Sequence, residues 1–210
     1  MDANLPNILT LSRILATPVV CLLLLAGTVT GSWIAFAVYF YACVTDFFDG
    51  YLARVRQQQS SFGRFLDPVA DKLLVASILL ILVGIDRLSG VDILAAIVIL
   101  CREILVSGLR EHLAELQVGM PVTRLAKWKT TIQMIALGLL VVGDVGPSVF
   151  GLTMTNLGVY GLWLAAALTL ITGYDYLRAG ITHMGSDAGD ARERARRAAI
   201  ERVDPARDLG

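Results

Sequence analysis

The chain has 210 residues, 56% of them hydrophobic and only 17% charged, which is too apolar for an ordinary soluble domain and points to a membrane protein. Lys plus Arg and Asp plus Glu both total 18, so net charge gives no ground for a nucleic-acid partner, and none is expected. What matters is where the charges sit, and they sit in clusters.

Six apolar segments follow one another. The first, Ile8–Thr28, has an amphipathic start and could be misread as a signal peptide. Asp2 is acidic, no A-x-A pattern follows Ala26, and further apolar segments come after it, so it reads as retained. The second, Trp33–Arg54, ends in Asp46, Asp49 and Arg54, and the third, Asp67–Ile85, opens with Asp67, Asp71 and Lys72. Their uncharged stretches, Trp33–Thr45 and Leu73–Ile85, are 13 residues each. A spanning helix needs about 20 residues, so each must continue into its charged end. The fourth, Ile93–Leu109, carries Arg102 and Glu103 with Arg110 just beyond it, and the fifth, Lys129–Val142, is led by Lys127. The sixth is Val149–Tyr174. Breaks at Gly27–Ser32, Asp86–Asp92 and Gly143–Ser148 are short and turn-like.

The expectation is an all-α polytopic membrane protein of six transmembrane helices. In a serpentine bundle the charged ends fall on one membrane face. Ionisable groups within a span are expensive unless they line a water-filled or metal-filled cavity, so a polar cavity open to that face is implied. Of the 18 Lys and Arg residues only Arg87 falls in a connection on the other face. By the positive-inside rule the cavity and both termini are cytoplasmic. Residues 1–180 form the membrane domain and 181–210 a charged cytoplasmic tail, solvated or lying at the interface. Cys21, Cys43 and Cys101 lie in apolar runs and read as small buried thiols. His112 and His183 read as surface or packing residues, and Asp144, Asp175 and Asp187 as interfacial.

The stretch that carries chemistry runs from Asp46 through Asp49, Gly50, Ala53 and Arg54 to Gly63, Asp67 and Asp71. Asp46 and Asp49 lie three apart and Asp67 and Asp71 four apart, so each pair shares a helix face and all four carboxylates can converge between two helices. Four acids in a low dielectric repel one another, and divalent metals resolve this. Carboxylate ligation with no His or Cys favours Mg²⁺ or Mn²⁺, and two such ions would clamp a phosphoryl centre. The small residues beside the acids let a bulky ligand approach the backbone.

The pattern D-x-x-D-G-x-x-A-R-x8-G-x-x-x-D-x-x-x-D resembles the signature of the CDP-alcohol phosphotransferases at every defined position. Pro6-Asn7-Ile-Leu-Thr10-Leu-Ser-Arg13, Phe65 to Lys72, Arg102 to Glu111 and Lys127 to Thr131 resemble the members that use glycerol 3-phosphate as acceptor. The resemblance implies a six-helix, usually homodimeric fold in the bacterial inner membrane, with the nucleotide of CDP-diacylglycerol in the cytoplasmic cavity. It implies that Asp46, Asp49, Asp67 and Asp71 ligate two divalent metals, Asp71 also serving as general base. Asn7, Thr10, Gly50, Ala53, Arg54, Ser60 and Gly63 match the positions that contact CDP-diacylglycerol; for Asn7 and Thr10 helix capping is the alternative. Arg54 has the planar fork suited to pyrophosphate.

Arg102, Arg110, Lys127 and Lys129 would bind the phosphate of the acceptor, unless they are ordinary topological anchors. Glu103 and Glu111 would pair with these bases. Cardiolipin synthases of the CDP-diacylglycerol type and phosphatidylinositol-phosphate synthases are the nearest alternatives. A transporter would need polar residues continuing to the far face. Beyond the acids the second and third segments are almost wholly apolar, so the cavity reads as blind.

Overall fold

The computed structural model describes the backbone of residues 5–56, 61–115 and 124–174, with side chains described for residues 8–46, 66–111, 113 and 125–174. His112, His183, Asp175, Asp187 and the tail 181–210 lie outside the described side chains. Among the described residues the chain is all-helical and has six long helices, and no strand is formed. They are α1 Leu5–Leu25, α2 Val29–Arg56, α3 Ser61–Gly84, α4 Asp92–Glu115, α5 Arg124–Val142 and α6 Met154–Tyr174. Stretches in α1, α5 and α6 are long and apolar enough to cross a membrane: Ile8–Leu25, Leu125–Val145 and Met154–Tyr174. In α2, α3 and α4 the apolar run gives way to charge towards one end.

The bundle is apolar on both its inside and its outside. Val20, Leu24, Ala35, Tyr39, Leu74, Ile78, Ile99, Leu137 and Leu162 form the core. Leu15, Leu22, Phe40, Leu80, Ile97, Ile135, Leu164 and Leu170 face outward and are exposed. Apolar surface in this quantity belongs in lipid, where the backbone is satisfied inside each helix. The protein is an integral membrane protein. Cys21 and Cys43 are half-buried and unpaired, whereas Cys101 is exposed on the apolar exterior.

Helix α1 packs against α2 and α3, α2 against α5, and α3 against α4 and α5. Helix α6 lies on α5 through small residues. A Cβ at Gly158 would come within 2.7 Å of Leu140 and 3.1 Å of the Ala136 carbonyl oxygen, and one at Gly161 within 2.9 Å of the Ala136 methyl. Close backbone approach through small residues is how helices associate when burial from water supplies no drive. Trp163 Nε1 also donates to Asp92 Oδ1 at 2.9 Å, joining α6 to α4.

The connections explain where the helices stop. Gly27 ends α1 in the left-handed region at φ +64°, and the Thr28 hydroxyl caps α2 by accepting from Gly31 N at 3.0 Å. Between α3 and α4, Arg87 donates from Nη1 to the Leu140 and Val141 carbonyls and from Nη2 to Ser32 Oγ at 2.9 Å. The orphan carbonyls at the end of α5 are thereby satisfied by a cation. Before α6, Val149 and Leu152 exchange two 3.0 Å backbone bonds around Phe150 and Gly151, both at positive φ. That tight turn moves the start of the sixth helix from the expected Val149 to Met154, where Thr153 Oγ1 accepts from Asn156 N at 3.2 Å.

Candidate active site

Three helices bring their polar ends together at one place. Thr10 and Arg13, three residues apart and so on one face of α1, meet Asp46 of α2 and Asp67 and Asp71 of α3. Arg13 is completely buried, while the three aspartate side chains are 34% to 41% exposed. Its Nη1 lies 2.9 Å from Asp46 Oδ1 and 3.6 Å from Asp67 Oδ1, and it is hydrogen-bonded to Asp71 Oδ1. Thr10 Oγ1 donates to Asp67 Oδ1 at 3.3 Å. Thr10 therefore sits inside α1 against an aspartate and does not cap the helix.

The local sequence allows this gathering. Pro18 interrupts the backbone bonding of α1, and Thr17 Oγ1 returns a 3.0 Å bond to the Arg13 carbonyl. Pro68 follows Asp67 directly within α3, and Ala70 between the two aspartates is fully buried. Partial exposure of the carboxylates together with complete burial of the guanidinium gives a site that opens outward above a cationic floor.

Asp46, Asp67 and Asp71 are thus brought together as their spacing led one to expect, and Thr10, matched only through the family resemblance, joins them. The side chains of Asn7, Asp49, Gly50, Ala53, Arg54, Ser60 and Gly63 lie outside the described residues, although Asp49, Gly50, Ala53 and Arg54 continue α2 and Gly63 lies in the first turn of α3. Sequence reading assigned no role to Arg13. The signal was available, because Arg13 is the lone charge in the 21 residues of α1 and an ionisable group inside an apolar helix needs a partner.

Among the described residues no group of three or more His, Cys, Asp or Glu side chains is arranged to hold a metal ion. In kind, however, the cluster suits a hard cation. It offers oxygen donors only, from two helices, and it already gathers around a positive charge.

A second polar network ties α4, α5 and α6. Lys129, almost wholly buried, is ion-paired and hydrogen-bonded to Glu103 Oε1. Arg102 donates to Thr172 Oγ1 at 3.1 Å and lies 3.9 Å from Glu103 Oε2. Arg110 and Lys127 are exposed. Lys72 lies 3.9 Å from Glu111. Both glutamates therefore pair with bases, though Glu111 does so with Lys72.

The sequence profile of the family described as CDP-alcohol phosphatidyltransferase matches residues 3–171. A CDP-diacylglycerol–glycerol-3-phosphate 3-phosphatidyltransferase of Rickettsia bellii is 46% identical over 179 residues, covering 85% of this chain and 96% of the relative. The enzyme of the same name from Cereibacter sphaeroides is 39% identical over 217 residues, covering 88% and 98%. In fold the chain is similar to a Mycobacterium tuberculosis phosphatidylinositol phosphate synthase solved with manganese and citrate. The TM-score is 0.57 at 18% identity, covering 84% of this chain and 80% of the other.

Proposed function

The chain belongs to the CDP-alcohol phosphatidyltransferase family, and from that premise we propose that it transfers the phosphatidyl group of CDP-diacylglycerol to glycerol 3-phosphate. The products are phosphatidylglycerophosphate and CMP. The observation that carries this reading is the convergence of Asp46, Asp67 and Asp71 at the open end of α1, α2 and α3, in a chain whose relatives bear the name of this reaction.

Asp46, Asp49, Asp67 and Asp71 would hold two Mg²⁺ or Mn²⁺ ions. Bound there, the ions would polarise the reacting phosphate and neutralise charge as it develops. Asp71 accepts the proton of the acceptor hydroxyl. That oxygen then forms a bond to the phosphorus carrying the diacylglycerol, the bond from that phosphorus to the CMP oxygen breaks, and CMP leaves with the electron pair. Asn7, Thr10, Gly50, Ala53, Arg54, Ser60 and Gly63 bind the donor, the glycines and alanine by admitting it close to the helix backbone. Of the four bases assigned to the acceptor phosphate, the exposed Arg110 and Lys127 reach it most directly. Arg102 and Lys129, both held by Glu103, add their charge from below.

The same reading has six transmembrane spans in the bacterial inner membrane, a cytoplasmic cavity, cytoplasmic termini and a homodimer. The clustering of Lys and Arg away from the Arg87 connection supports the orientation. The test is incorporation of labelled glycerol 3-phosphate into lipid by purified protein supplied with CDP-diacylglycerol. Incorporation should require Mg²⁺ or Mn²⁺ and stop in EDTA. Undiminished incorporation in chelator would reject the two-metal site, and none under any condition would reject the acceptor.

A further inference from the structure

The guanidinium of Arg13 is surrounded by acids rather than paired with one. A single nitrogen, Nη1, is within ion-pair distance of the Oδ1 atoms of Asp46, Asp67 and Asp71, which come from two different helices. It occupies the point on which those oxygens converge, and among the described residues no group of acids is arranged to hold a metal ion. The side chain is wholly buried, so this charge has been taken from water and is compensated by the carboxylates. Among the described residues three carboxylates face one guanidinium, an excess of two acidic groups that keeps a demand for further cation.

We propose that Arg13 is a displaceable counter-ion of the carboxylate cluster: it holds α2 and α3 together while no divalent ion is bound, and it yields the shared oxygens when one enters. The proposal rests on the reading of the aspartates as a divalent-ion site. In this arrangement Arg13 is a positioning residue. It prevents the acids from repelling one another apart before the ion arrives, and it sets the affinity at which the ion binds, because the ion must compete with it. A stronger hold by Arg13 means weaker metal binding and a more stable empty protein.

The competition gives a sign that a purely structural role does not. In Arg13→Gln the empty cluster loses its cation, so the protein in EDTA should melt at a lower temperature than the parent. The same loss removes the competitor, so Mn²⁺ should bind about tenfold tighter, the size of one charge-assisted contact. Mn²⁺ should then raise the melting temperature of the variant more than that of the parent.

Both quantities are read on the full-length protein in detergent, by the electron paramagnetic resonance signal of free Mn²⁺ and by thermal unfolding. Arg13→Lys is the second variant. It keeps the charge but replaces the planar fork with a point charge, and it should tighten Mn²⁺ binding by a smaller factor; it decides the matter where Arg13→Gln does not fold. Mn²⁺ affinity equal to or weaker than the parent's in whichever variant folds would overturn the proposal while leaving the metal site intact. Absence of Mn²⁺ binding in the parent and variants alike would overturn both. Asp46→Asn in the parent background separates the two, since it should lose Mn²⁺ whatever Arg13 does.

Discussion

An aspartate that takes a proton and one that only holds a cation fail differently when changed to the amide. Asp71→Asn should lower kcat by about a hundredfold or more, the usual worth of a general base, while nucleotide binding persists. Asp46→Asn should in addition raise the Mn²⁺ concentration needed for half-maximal rate. Steady-state rates across a metal titration separate the two, and wild-type kinetics in both variants would contradict both roles. Arg110→Ala removes a charge-assisted contact worth about 1.5 to 3 kcal/mol. That is roughly tenfold or more in the KM for glycerol 3-phosphate, with little change for CDP-diacylglycerol. An altered yield with both KM values unchanged would make Arg110 a topological anchor. Helical spacing puts Asp67 and Asp71 on one face, so their meeting with Asp46 was legible from sequence, whereas the side chain of Asp49 lies outside the described residues. Arg13, the lone charge in α1, signalled that it needs a partner, but which acids it meets was not legible, because no single sequence gives the register of α1 against α3. The same ignorance hid that Lys129, expected at the acceptor phosphate, is almost wholly buried, although its pairing with Glu103 was anticipated.

The fit between elements depends on small residues and on a few polar ties. Gly158 has no room for a Cβ against Leu140 and the Ala136 carbonyl, whereas Gly108 on α4 has nothing within 4 Å. Gly158→Leu should therefore destabilise the α5 and α6 pair by about 1 to 3 kcal/mol. Gly108→Ala should be neutral or stabilising by up to about 1 kcal/mol through helix propensity. Thermal unfolding in detergent reads both, and the opposite order would contradict the packing of α6. Arg87→Ala should lower the unfolding temperature too, because it strips the end of α5 and Ser32 of their donor. The six apolar runs revealed the number and order of helices, since each is long and bounded by turn residues. Their ends were less legible. Helices α2 and α3 continue into charged sequence, as the shortness of their uncharged runs required, but α3 begins at Ser61 rather than Asp67 and α4 ends at Glu115 rather than Leu109. The turn around Phe150 was missed because its strand-like backbone bonds join residues that look like the start of an apolar helix.

At the scale of the whole molecule the exterior is apolar and the polar residues cluster at one end, so the membrane and the site are one arrangement. In the proposed orientation Arg87 is the one base on the far face, and it is bound to the last turn of α5 and to Ser32. A cysteine placed at Ser89, beside Arg87, should react with impermeant maleimide added outside spheroplasts, and one placed at Lys127 only after the membrane is opened. The reverse pattern would invert the topology and remove the cytoplasmic cavity. The choice of acceptor is the most consequential step beyond family membership, since the acids and the fold serve many alcohols alike. The measurement that tests it most directly is CMP release from CDP-diacylglycerol by the purified protein, with glycerol 3-phosphate, phosphatidylglycerol or inositol phosphate supplied in turn. The expected result is Mg²⁺- or Mn²⁺-dependent release with glycerol 3-phosphate and background release with the other two; release with phosphatidylglycerol or inositol phosphate but not with glycerol 3-phosphate would contradict the assignment.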